Sequence, residues 1–116
     1  MIKALWVIMA LTTLSGEAKV TLESIGPVTV QFVSSDHWLL KDGSTAKAAR
    51  SGTGEKWILV NVDADMEGID QIILHEMAHH AAWDRYGEKI KQHGPKFRAI
   101  CRQLVTVNPA YYCKGD

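Results

Sequence analysis

Residues 74–80 read LHEMAHH, and their interpretation decides how the rest of the chain folds. His75 and His79 stand four apart, the interval that places two helical side chains on one face, one turn above the other. The flanking pattern is helical too. Ile69, Ile72, Ile73, Met77, Ala78, Ala81 and Tyr86 recur with a period of about 3.6 residues and predict a broad apolar stripe. Asp63, Asp65 and Glu67 suit the start of this helix electrostatically, and Gly87 suits its end.

Upstream the period falls to two. After Gly26-Pro27, the stretch VTVQFVS alternates Val28, Val30 and Phe32 or Val33 with polar residues, as a half-buried strand does. Turn signals at Asp42-Gly43 and Gly52-Thr53-Gly54 enclose a weak strand at Thr45 to Arg50. KWILVNV, residues 56–62, is a continuous apolar and β-branched run, the mark of a well-buried strand. Downstream, HGPKF at residues 93–97 opens a second helix, with Pro95 in the first turn where its missing N–H has no helical partner. The apolar face of that helix is Phe97, Ile100, Cys101, Leu104 and Val105; Asn108-Pro109 ends it, and the tail AYYCKGD is expected to be irregular.

The length of 116 residues suits one domain with one modest core. Thirteen basic and thirteen acidic residues cancel, so no global field draws the chain to nucleic acid or to an anionic membrane. Lys89, Lys91, Lys96, Arg98 and Arg102 make one region basic, which a solvated helix face explains as well as an anionic partner does. MIKALWVIMALTTLSGEAKV has the order of a secretory signal over residues 1–18, with Gly16 and Ala18 preceding a cut before Lys19. Residues 19–116 would then be the mature domain. Its apolar run is short of the about 20 residues that cross a bilayer, and a buried first helix of a cytoplasmic protein is the alternative. Cys101 and Cys113 can pair in an exported protein or stay reduced in the cytoplasm, Cys101 then serving as a core residue; the sequence leaves both open.

Two imidazoles on one helical face can bind one zinc ion. Glu76, rotated from them by one residue, places a carboxylate beside the metal's open position, where it can act as general base toward a bound water. A catalytic zinc needs a third protein ligand. Ala82 and Arg85 occupy the positions where a metzincin has Gly and His, and Glu88 lies too close behind Gly87 to fold back. His93 follows a turn and precedes a helix start, so it is the expected third ligand. Burying these groups beside Ile72, Ile73 and Met77 without a metal partner would be costly.

Taken together, ILHEMAHHAAW and HGPKF resemble the SprT-like zinc metallopeptidase domain, in which a helical HExxH is followed by a loop and then HGxxF opening the next helix. The resemblance spans about Ala46 to Leu104. It implies His75, His79 and His93 as zinc ligands, Glu76 as general base, and an α+β fold: a small zincin-like domain with a short three-stranded β-sheet packed on the motif helix and a following C-terminal helix. No C-terminal zinc-ribbon cysteines are present, and the neutral charge speaks against the DNA-linked proteolysis of cytoplasmic relatives.

The expected activity is hydrolysis of peptide bonds in a peptide or protein substrate, which can add to an edge strand of the sheet through backbone hydrogen bonds. The alternatives are a zinc-stabilised, non-catalytic binding module, or an exported hydrolase of cell-wall peptides. His80 points about 100° away from His79 and is expected at the surface or behind the ligands. His37 is expected in a loop, and Trp83 in the core. Tyr86, Tyr111, Tyr112 and Arg85 are all candidates to stabilise an oxyanion.

Overall fold

The computed structural model describes residues 10–12, 17–22 and 25–114. Residues 1–9 and 13–16 of the signal-like segment lie outside the described residues. The chain divides into a β unit that ends at Glu67 and a helical unit that begins at Gly68, so the class is α+β.

The three expected strands are present as Gly26–Val33 (β3), Ala46–Arg50 (β4) and Lys56–Asn61 (β5). They form a mixed sheet: β3 runs parallel to β5, and β4 pairs with β5 antiparallel. Between β3 and β5 the chain makes a 3₁₀ turn at Trp38–Leu40, where His37 Nδ1 accepts the Leu39 N–H at 3.2 Å, so His37 caps a turn as a loop residue can. Ile58 faces Val30 on one side and Ala48 on the other. Ile58, Leu59 and Val60 are buried in succession, so β5 is covered on both faces, as its continuous apolar run requires. On β3 the burial alternates at Val28 and Val30, while Phe32 and Val33 are both half-buried.

Two strands not foreseen extend this sheet on the β3 side, Ala10–Thr12 (β1) and Glu17–Leu22 (β2), giving the order β1-β2-β3-β5-β4. They fall in and just after the stretch with signal-like order, which drew attention away from strand pairing. Cleavage before Lys19 would remove β1 and the first two residues of β2.

The helical unit opens with Ile69–Tyr86 (α1). Gly68 begins it at φ +72, a conformation that side chains rarely adopt, and a Cβ there would strike the Tyr112 hydroxyl. The acid in the first turn is Asp70. Asp65 instead accepts the Glu67 N–H at 3.0 Å within the preceding turn, and Asp63 accepts the N–H of Ser35, 28 positions away, at 2.9 Å. At the far end Gly87, φ +88, donates its N–H to the Trp83 carbonyl at 2.8 Å and stops the helix.

Pro95–Leu104 (α2) buries Phe97, Ile100, Cys101 and Leu104, the face its periodicity predicts, and packs on α1. The tail is not irregular. Pro109–Tyr112 forms a single turn (α3) that touches both helices, with Pro109 at its first position for the same reason as Pro95 in α2. A disulfide joins Cys101 on α2 to Cys113 at the end of α3. Closing a loop of this size contributes about 3 kcal/mol in the chain-entropy model.

The apolar stripe of α1 predicts the helix better than it predicts the buried face. Ile73, Met77 and Ala78 are buried, but Ile69, Ile72 and Ala81 are half-covered and Tyr86 is exposed. Gln71, Glu76, His79 and His80 are buried instead. Gln71 holds α1 to the α2–α3 connection: its Oε1 accepts the Thr106 and Val107 N–H groups at 3.0 and 3.2 Å. Gln71→Ala is expected to cost about 1–2 kcal/mol, because two backbone donors lose their acceptor. That corresponds to a drop of roughly 5–10 °C in the thermal midpoint. Equal midpoints for Gln71→Ala and the parent would show that water replaces the clamp.

Candidate metal centre

His75, His79 and His93 converge, with one potential ligand atom from each lying within 4.8 Å of the others. Two come from successive turns of α1, and the third from the residue before Gly94, which precedes the first turn of α2. His79 Nε2 and His93 Nε2 are 3.2 Å apart. Two nitrogens at about 2.0–2.1 Å from one tetrahedral ion would be about 3.3 Å apart, so this spacing suits a shared metal.

The nitrogen that His75 could offer an ion is defined by what the ring does on its other side. Its Nδ1 lies 2.6 Å from the Tyr112 carbonyl oxygen. A carbonyl only accepts, so Nδ1 carries the proton and Nε2 keeps its lone pair. This is the arrangement that orients a metal-binding imidazole. No residue type at position 112 announces it, because the acceptor is backbone.

Phe97 is the floor of the site. Its ring is fully buried, stacks on His79 at 4.1 Å between centroids, and meets His75 and His93 edge-on at 5.0 and 5.2 Å. The spacing of HGPKF therefore has a local reason: His93 enters the site, Pro95 fixes the helix start, and Phe97 returns beneath the imidazoles one turn later. Trp83, half-buried, stacks on His79 from the other side at 5.8 Å. His80 is fully buried and meets Trp83 edge-on at 5.3 Å, so it is not a surface residue; it lies outside the converging trio.

Burial favours the neutral form of His75 and His79, the form that metal ligation needs. The pKa of His79 is lowered to about 3, chiefly by burial and then by the neighbouring imidazoles of His75, His93 and His80. That of His75 is lowered by burial, against the raising effect of the Tyr112 carbonyl. Between about pH 6.5 and 3 the unfolded chain binds a proton at His79 that the folded chain refuses, so acidification favours unfolding. The metal-free protein is expected to lose thermal stability steadily as pH falls below about 6.5, and His79→Gln should flatten that profile. Parallel profiles for parent and variant would contradict this cause.

Glu76 is buried, and its Oε2 lies 3.8 Å from His75 Nε2. It stands beside the cluster and outside the group of three histidines that could hold an ion. Glu88, the rejected alternative ligand, is exposed. Among the oxyanion candidates, Tyr86 and Tyr111 are exposed, Tyr86 lying under the Lys96 ammonium at 4.7 Å. Tyr112 is half-buried, its hydroxyl near Gly68.

Residues 58–114 match a family model described as the SprT-like family. The matched segment starts within β5 and runs past α3, so it includes all three histidines, Glu76, Phe97 and both cysteines. No curated protein and no solved structure matches the chain.

Proposed function

Taking as premise that residues 58–114 are a SprT-like domain, we propose that the protein is a zinc-dependent metallopeptidase that hydrolyses peptide bonds in a peptide or protein substrate. The observation that carries this is the convergence of His75, His79 and His93 beside the buried Glu76. A set of three imidazole donors suits zinc better than calcium or magnesium, which prefer oxygen donors.

His75, His79 and His93 would hold the ion. Bound zinc supplies Lewis acidity that polarises a substrate carbonyl and acidifies water. Glu76 accepts the proton of the attacking water and returns it to the departing amine; its burial keeps the carboxylate close to the reacting atoms. Tyr112 fixes the ring of His75 through its carbonyl, and Phe97 with Trp83 excludes water from the sides of the imidazoles. The disulfide supports export to an oxidising compartment, with substrates there.

The test is cleavage of an unfolded protein by the purified chain. Activity that a chelator removes and stoichiometric zinc restores supports the proposal. A folded, zinc-loaded protein without hydrolysis of any unfolded substrate leaves the non-catalytic binding module.

A further inference from the structure

We propose that the Cys101–Cys113 disulfide is a positioning element for the metal site: it holds the Tyr112 carbonyl against His75 and makes metal affinity depend on the oxidation state of the bridge. This rests on the metal-site reading above and extends it to regulation.

The contact chain is short. Tyr112 O accepts from His75 Nδ1 at 2.6 Å, and Cys101 Sγ lies 4.0 Å from both of those atoms. Tyr112 is the last residue of α3 and is bonded directly to Cys113, which is fully buried. α3 depends on its attachments. It has four residues and buries none of them, and a single helical turn has almost no stability of its own. Its anchors include the tie to α2 through the bridge, the packing of the Tyr112 ring near Gly68, and the Gln71 clamp on the connection before it. Releasing the bridge frees the carbonyl, and the ring of His75 then loses the partner that selects its tautomer. Loss of such an outer partner weakens metal binding about 10–100-fold. The switch is a two-electron reduction: a dithiol donates two electrons and two protons, the S–S bond breaks, each sulfur gains one hydrogen, and the reductant closes its own disulfide.

The experiment is a double-mutant cycle on zinc affinity, measured by competition with a chromophoric chelator. Cys101→Ala/Cys113→Ala removes the bridge without leaving thiols that could bind zinc. It is combined with intact His75 and with His75→Ala. With His75 present, loss of the bridge should weaken zinc about 10–100-fold; with His75→Ala it should change affinity by no more than about twofold. Equal losses in both backgrounds would mean a general structural effect and overturn the proposal, as would unchanged affinity. If the alanine pair does not fold, nitrogen-15 NMR of the imidazoles in the metal-free protein gives the second reading. His75 should be the Nδ1–H tautomer when oxidised and a mixture after reduction with a phosphine; a tautomer indifferent to reduction overturns the proposal. Failure of the oxidised parent to bind zinc would instead remove the metal site itself.

Discussion

Glu76→Gln is expected to lower the rate of peptide hydrolysis by about 10²–10⁴-fold, the range supplied by a positioned general base, while zinc stays bound. The amide keeps the shape and polarity of the buried side chain, so the variant should fold and melt close to the parent. What it removes is the capacity to accept a proton 3.8 Å from the ligand nitrogen of His75. The decisive pairing is kcat beside metal content. A variant with one zinc and unimpaired turnover would reject Glu76 as the base.

His93→Ala should produce the largest change in metal content. It removes one of the three proposed ligands, so zinc affinity should fall by more than the about 10–100-fold that follows loss of an outer-shell partner. Dialysis against a weak chelator followed by elemental analysis should find one zinc per chain in the parent and little in the variant. Glu88→Ala is the matching control, since Glu88 is exposed and outside the cluster. Zinc retained by His93→Ala but lost by Glu88→Ala would require a different third ligand.

The convergence of the three histidines was legible because it depends on local rules. A spacing of four on a helix aligns His75 with His79, and a proline after His93-Gly94 announces a helix start that holds the third imidazole in place. The strands of β3, β4 and β5 were legible from alternation, turn signals and a doubly buried run. What escaped depends on partners distant in sequence or on backbone atoms. The short strands β1 and β2 make sense only as additions to β3, and their residues also satisfied the pattern of an export signal. The Tyr112 carbonyl belongs to no residue type. Gln71 was visible as a polar residue between Ile69 and Ile72, yet its role needs the connection at Thr106 and Val107, 35 and 36 positions away. α3 was missed although Pro109 repeats the signal that revealed α2 at Pro95.

The compactness of the ligand set along the chain bears on the order of assembly. His79 and His93 are separated by 14 positions, whereas the parallel pairing of β3 with β5 joins Thr29 to Trp57 across a gap of 28. Shorter loops close at lower entropic cost and earlier in folding. Metal capture is therefore expected to precede completion of the sheet, so that zinc present during synthesis acts as a folding template for the helical half, and refolding should be faster with the ion than without it.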